Sequence, residues 1–280
     1  LAARVLGPGG RPPAGGLVDV GCGSVGLSCL GEGTPFVGVD VEFSTPPAPE
    51  MLPLRVSPGP LPFRDGAAEV VMSVDALEHV PPAERTPFLE ELVRVAAHRV
   101  VMVCPTREAA AIDQLVELVL ASTGQPIPPW LREHDEHGLP DRAEVIRACR
   151  AVDADVEVRE IEVGNGFLAG LVALGDTLPW LAPQAAGEYA ADRDGWRRLF
   201  EQASFGPPVR VGIEIVRNRP LSPSLDGAAP WARLHEALRC TACGGDTVGA
   251  DLACADCGAR PERDGSVIDL TGKEREWAPA

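Results

Sequence analysis

The chain is poor in basic residues. It carries 25 Lys and Arg against 41 Asp and Glu, a formal net charge of −16 over 280 residues. Neutralising phosphates takes clustered Lys and Arg, so this balance excludes a broad nucleic-acid face and leaves room only for a local basic groove. Long hydrophobic runs are missing too. No stretch approaches the ~20 apolar residues of a membrane-spanning helix. The first residues lack a cationic segment followed by an apolar one, so no secretory signal is expected, although the chain starts at Leu1 rather than Met. A cytoplasmic protein is the expectation. Internal repeats and long low-complexity tracts are absent. Lysine is scarce while Pro (28) and Gly (30) are frequent, which reflects coding bias as much as structure. A disulfide framework is lacking as well. Of eight cysteines, Cys22, Cys29, Cys104 and Cys149 are scattered and four cluster near the C-terminus. That pattern suggests buried thiols and a metal site in a reducing compartment.

The chain is long enough for one large domain and a small one, and its 45% apolar content is ordinary for a globular fold. Short apolar runs alternate with helical patterns. Residues 17–20 read as a buried strand, Pro35–Phe43 as a second, Pro53–Val56 as a weak third, Glu69–Val74 as a strong fourth and Arg99–Pro105 as a fifth. "PAERTPFLEELVRVAAH" (82–98) reads as a helix with Phe88, Leu89, Leu92, Val93 and Ala96 on one face. A second helix runs from Arg107 to a stop near Gly124, and "DRAEVIRACRAV" is a third. Asp155–Val163 alternates as a strand, two helical stretches follow (about Phe167–Leu181 and Pro183–Ala203), and Pro208–Asn218 alternates again and closes the sheet. The expectation is an α/β, Rossmann-like, doubly wound and mainly parallel sheet with an antiparallel last strand. The Pro/Ser/Gly run "RPLSPSLDGAAP" divides a domain over 1–218 from a small one over 232–280, with a linker over 219–231.

The first strand ends in Gly21-x-Gly23-x-x-Gly26, and Asp40 follows near the end of the second strand. Glycines let backbone approach a ligand, and a carboxylate after the second strand accepts from vicinal ribose hydroxyls. NAD and S-adenosylmethionine sites share both features, and a tight turn with no ligand is a third reading. Asp19, two residues before Gly21, favours a ligand with a cationic amino group and opposes a pyrophosphate.

"DVGCGS" resembles the first motif of class I S-adenosylmethionine-dependent methyltransferases (type 11-like). "LPFRDGAAEVVMSVDALEHVPPAERTPFLEELVRV" (Leu61–Val95) resembles the segment around that family's fourth strand. The likeness covers about Leu17–Pro105 by motif and the rest to Asn218 by pattern. Val25 stands where the family's third glycine falls, and Ser57 about where an adenine-side acid does. The resemblance implies that Gly21 and Gly23 approach the methionine part of the cofactor, that Asp19 organises its amino group and that Asp40 holds its ribose. It places Asp75 beside the methionine moiety, with Cys22 and Val41 completing the set. The family's "NPPY"-type run for amino-group chemistry is absent; "VDAL" stands there.

A hydroxyl acceptor benefits from a general base. "WLREHDEHGLP" (130–140) supplies His134 and His137, with Glu133 or Asp135 to orient one of them, inside a substrate-binding insertion over about 123–205. On a helix Glu133 and His137 share a face, as do His134 and His137. A divalent ion held by these His and acidic groups, or simply a solvated charged loop, are the other readings. Glu78-His79 is a second candidate pair. Trp130, Trp180 and Trp196 suit either ring stacking or a core. "EHGLP" resembles methyltransferases encoded with cell-surface sugar enzymes, implying a sugar or other small-molecule hydroxyl. An RNA or protein acceptor and a non-catalytic scaffold are the alternatives.

Cys240-x2-Cys243 and Cys254-x2-Cys257 form two Cys-x-x-Cys-Gly knuckles ten residues apart. Four thiolates make a closed tetrahedral Zn²⁺ site, structural rather than catalytic; two disulfides or an iron centre are the alternatives. The tail Arg260–Leu270 resembles the small zinc-ribbon partners of tRNA and protein methyltransferases. A ribbon here either docks on the large domain, recruits a protein partner, or hangs free on its linker.

Overall fold

The computed structural model describes residues 5–6, 11–29, 33–161, 174–175, 178, 180–192, 195 and 208–271. Apolar, β-branched runs build the centre of the sheet. The strands are β1 Leu17–Val20, β2 Phe36–Asp40, β3 Met51–Arg55, β4 Ala68–Val74, β5 Ala96–Pro105, β6 Val156–Ile161, β7 Arg210–Arg217, β8 Glu262–Asp264 and β9 Val267–Asp269. Their order is β6-β7-β5-β4-β1-β2-β3-β9-β8. β1 lies between β2 and β4, and β1 to β5 are joined only by parallel pairs. β7 runs antiparallel to both β5 and β6, as expected, but it lies inside the sheet, and β6 rather than β7 closes that edge. The order reverses between β1 and β4. That topological switch point opens a crevice at the carboxyl ends of the strands, where open α/β sheets bind ligands.

Helices follow the expected periodicity with one correction. α1 covers Arg85–Val95 and buries Leu89, Leu92, Val93 and Val95. It stops there rather than running to His98, because Ala96 turns to extended backbone and opens β5. Ala96 and Ala97 are fully buried in the sheet, and that burial overrides alanine's preference for helix. α2 (Ala110–Thr123) ends on Gly124, which adopts the left-handed conformation, φ +67°, that a C-terminal cap requires. α3 (Pro129–His137) starts on proline, and Asp141 caps α4 (Arg142–Ala151) by accepting the Glu144 N–H at 3.0 Å. α5 spans Ala182–Ala191. The rest of the two helical stretches expected over 167–203 lies largely outside the described residues, as does Trp196. No described helix is long and apolar enough to cross a membrane.

The run read as a linker lies pinned along the large domain. Leu221 N–H donates to Ala97 O at 2.8 Å, Leu225 N–H to Ala67 O at 2.9 Å and Gly227 N–H to Ala14 O at 2.9 Å. Leu225 is buried in the main core. The cysteine module is not free either. β9 adds in parallel to the β3 edge, with Leu54 opposite Ile268 and Arg55 opposite Asp269. Leu234, Leu238, Ile268 and Leu270 join the same core as β1, β2 and β4. Arg55, 5% exposed at its side chain, pairs with Asp269 at 2.9 Å and Asp264 at 3.2 Å. Arg64, in the "LPF" segment, donates to the carbonyls of Leu238 and Asp246. Of the three arrangements open from sequence, the module takes the docked one.

Candidate functional site

On the cofactor side, the glycine turn is shaped by close approach. Gly21 has φ +72°, and a Cβ there would stand 2.3 Å from the Ala76 Cβ, so no other residue fits. Gly26, at φ +49°, would place a Cβ 2.8 Å from Asp19 Oδ2. Around Gly23 the space is open: nothing lies within 4 Å of where its Cβ would be. Its N–H donates to Asp40 Oδ2 at 2.7 Å, and the Glu42 N–H to Asp40 Oδ1 at 3.1 Å. These bonds hold the Asp40 carboxylate at the end of β2 and leave each oxygen a lone pair for a hydroxyl. Val41 follows, half exposed.

Asp19 is buried, and its Oδ2 has no partner. Burial pushes its carboxyl up to about 7, against a backbone hydrogen bond from Leu27, and the Asp40 charge adds to the rise. Burial, then Asp19 and Asp40, hold Cys22 as a neutral thiol far above its usual range. The Asp40 carboxylate and the Asp19 carboxyl, one of whose oxygens is orphaned, suit a ligand with a ribose diol and a cationic amino group. They repel a pyrophosphate. The residues fit S-adenosylmethionine better than a dinucleotide.

Asp75, expected beside the methionine moiety, directly follows β4 with φ +51°, a strained value for a residue with a Cβ. Its N–H is fixed by Val103 O at 2.9 Å and its Oδ2 by Arg210 at 2.8 Å, while Oδ1 is buried without a partner. Burial raises this carboxyl and Arg210 opposes the rise. Glu78 and His79 follow in a 3-10 turn, Leu77–His79, against which α3 packs. Glu78 is 1% exposed; burial and then the Asp75 charge push its carboxyl well up, and its Oε2 has no partner. Burial, reinforced by His134, pulls the His79 imidazole down, against Glu133.

α3 divides its expected site residues. His134 points inward with its side chain 9% exposed. Its Nδ1 lies 3.0 Å from Asp113 Oδ2 on α2, and its Nε2 is buried without a partner. Glu133 meets His79 instead, with Oε2 2.7 Å from Nδ1. The two imidazoles face each other with centroids 5.0 Å apart. His137 stays outside this group: its carbonyl accepts from Arg85 at 3.3 Å, and its ring makes no described contact with the cluster. Asp135 is exposed. Trp130 packs edge-on against His134, and Trp180 is exposed.

Sequence spacing missed Asp113 and Arg210, which reach the site from α2 and β7. The signal for Asp113 is an acid inside a stretch whose other residues, Gln114 apart, are apolar, "AAAIDQLV".

At the far edge of the sheet the four cysteine sulfurs lie within 4.8 Å of one another. Cys240 and Cys257 approach to 3.6 Å, Cys243 and Cys254 to 3.7 Å, and none is in a disulfide. Gly244 N–H donates to Cys240 O and Gly258 N–H to Cys254 O, closing two matching knuckles. Four sulfurs gathered without disulfide geometry fit one tetrahedral Zn²⁺.

No family model matches the chain, and no curated protein does. Solved structures do. The YcgJ protein of Bacillus subtilis is 16% identical over 72% of this chain and 91% of its own, with a TM-score of 0.39. An S-adenosylmethionine-dependent methyltransferase of Mesorhizobium loti is 13% identical over 73% and 93%, TM-score 0.40. A chain from the Haloferax volcanii complex of the Trm112 methyltransferase activator with a putative methyltransferase is 16% identical over 76% and 84%, TM-score 0.43. At such identities and TM-scores only the strand order and the cysteine cluster speak for the chain itself. The chain has a Rossmann-like, mainly parallel sheet, with a four-cysteine module at its C-terminal end that fits a zinc ribbon.

Proposed function

We propose that this chain is an S-adenosylmethionine-dependent methyltransferase acting on a hydroxyl of a sugar or other small molecule. The observation that carries the reading is His134: a buried imidazole with Nδ1 on a carboxylate and Nε2 free, beside the strained end of β4. When bound, S-adenosylmethionine supplies an electrophilic methyl on a sulfonium. Asp40 holds the ribose hydroxyls, and Asp19 attracts the amino group. The glycine turn admits the methionine part against the backbone of residues 21–23, beside Cys22 and Val41. In the metal-free protein, Asp113 keeps the Nδ1 proton of His134, so the Nε2 lone pair receives the acceptor's proton. Held by Asp40, Asp19 and the glycine turn, the cofactor would supply a methyl group to the acceptor oxygen, with the S–C electron pair left on sulfur.

The domain over 1–218 carries this chemistry, with the acceptor-binding part in about 123–205. The segment over 232–280 is a zinc ribbon that completes the sheet, and its outer face is where a protein partner would bind. The acidic surface disfavours nucleic acid, and a cytoplasmic site of action fits the thiols.

The test is calorimetry on the zinc-loaded chain with S-adenosylhomocysteine and with NAD⁺, followed by an acceptor screen beginning with sugars. S-adenosylhomocysteine binds and Asp40→Ala abolishes that binding. Asp113→Asn lowers kcat by ~10–100-fold and leaves cofactor affinity unchanged. Binding of NAD⁺ alone, or of neither ligand, refutes the reading.

A further inference from the structure

Glu78, His79 and His134 each offer a ligand atom, and the three atoms lie within 4.8 Å of one another. His79 Nε2 is 3.8 Å from Glu78 Oε1. Two features set this group apart from an ordinary polar cluster. First, each imidazole carries a carboxylate at Nδ1: Asp113 at 3.0 Å from His134, and Glu133 at 2.7 Å from His79. A carboxylate on one ring nitrogen turns the other nitrogen's lone pair toward the interior, which is how metal-binding histidines are commonly oriented. Second, among the described residues Glu78 Oε2 and His134 Nε2 are buried with no hydrogen-bond partner, and His79 Nδ1, although 2.7 Å from Glu133, meets it as an ion pair without hydrogen-bond geometry. Buried polar atoms are rarely left so, and two orphans in one cluster call for a common partner. A cation satisfies both, because both are acceptors when the carboxylate is ionised and the imidazole neutral.

We propose that Glu78, His79 and His134 bind one divalent first-row metal ion, Mn²⁺ among those accepted. Two imidazoles and one carboxylate select such an ion over Mg²⁺ or Ca²⁺, which prefer all-oxygen sets. Three protein ligands leave open positions, and those face the acceptor's hydroxyl oxygen. This rests on reading the pocket as the acceptor site and changes one role within it. With the ion bound, the His134 lone pair is taken, and the ion stabilises the acceptor alkoxide. The hydroxyl proton then leaves to water, the oxygen pair forms the C–O bond, and the S–C pair returns to sulfur. Asp113 and Glu133 become positioning residues for the two ligand histidines.

The test titrates Mn²⁺ into the full, zinc-loaded chain, following free Mn²⁺ by electron paramagnetic resonance. Hard Mn²⁺ does not displace zinc from four thiolates, so the ribbon stays silent. One Mn²⁺ binds per chain, and His79→Gln, His134→Gln and Glu78→Gln each weaken it at least tenfold. Asp113→Asn weakens it ~10–100-fold without supplying or removing a ligand. S-adenosylhomocysteine binding to the same variants shows that they are folded. No Mn²⁺ bound at millimolar concentration, or unchanged binding in the His79→Gln/His134→Gln double variant, overturns the metal site. If S-adenosylhomocysteine binds while Mn²⁺ does not, only the metal site falls and His134 stays the base. If Mn²⁺ binds and S-adenosylhomocysteine does not, the methyl-transfer reading falls and the metal site stands.

Discussion

Among the described residues, metal-ligand chemistry gathers in two places, and they are built in opposite ways. The four cysteines come from two knuckles within eighteen residues, Cys240 to Cys257, and each knuckle closes on its own backbone. Glu78, His79 and His134 come from a turn after β4 and from α3, and their orienting carboxylates from α2 and α3. The first group organises its own surroundings, since a segment so short has little apolar core and metal binding is much of its folding energy. The second is organised by a sheet that folds without it. Metal at the ribbon should therefore act on stability, and the buried cluster on binding and rate.

The sharpest break in that comparison is zinc removal. Stripping zinc with a strong chelator, or Cys240→Ser with Cys243→Ser, should give the largest loss of stability, because structural zinc contributes on the order of 10 kcal/mol. The loss should reach the large domain, since β9 leaves β3 and the main core loses Ile268 and Leu270. Calorimetric scans should show one transition moving down. A large domain melting at an unchanged temperature would mean that the two parts are energetically separate.

Next in size is Asp269→Asn, which keeps the strand but leaves Arg55 buried with only the exposed Asp264 for a charge partner. Breaking a buried pair from one side costs up to about 3–5 kcal/mol, less here because Asp264 remains, read as a lower urea midpoint with unchanged slope. Replacing both members with apolar residues should recover most of that loss.

The smallest effect belongs to the cofactor side and depends on pH. Asp19 keeps its proton in the folded chain up to about pH 7, whereas an unfolded aspartate loses it near 3.8. The folded state therefore binds more protons between those values, and stability falls as pH rises through them. Asp19→Asn removes that penalty. The variant should be more stable than the parent by a few kcal/mol above pH 7, with the gap closing toward pH 4, and should bind S-adenosylhomocysteine more weakly. Thermal melts at pH 5 and pH 8 decide it; equal gaps at both would place the Asp19 proton elsewhere.

These differences track what the sequence made legible. β1, β2, β4 and β5 were visible because buried parallel strands read as apolar runs, and the knuckles because their ligands sit within a few residues of one another. Asp40 was visible because strand–turn–strand geometry fixes its distance from Gly21. The pairing of His134 with Asp113 was not, since twenty-one residues and a helix–helix approach separate them, and the local stretch offered only Glu133 or Asp135. Glu133 turned to His79 because α3 lies across the turn after β4, a tertiary fact. β9 was hidden for a similar reason: three residues carry no strand period, and only the open edge of β3 makes them a strand.

The pairing of Arg55 with Asp269 spans 214 positions. At a synthesis rate of ~5–20 residues per second, the partner of β3 emerges roughly 10–40 s after β3 itself. For that interval the nascent sheet ends in a bare, largely apolar edge, the sort that recruits foreign strands. The guanidinium that later becomes a buried ion pair is, until then, a solvated charge on that edge. A charge at that place disfavours an apolar foreign strand and favours a segment that brings carboxylates, as Asp264 and Asp269 do.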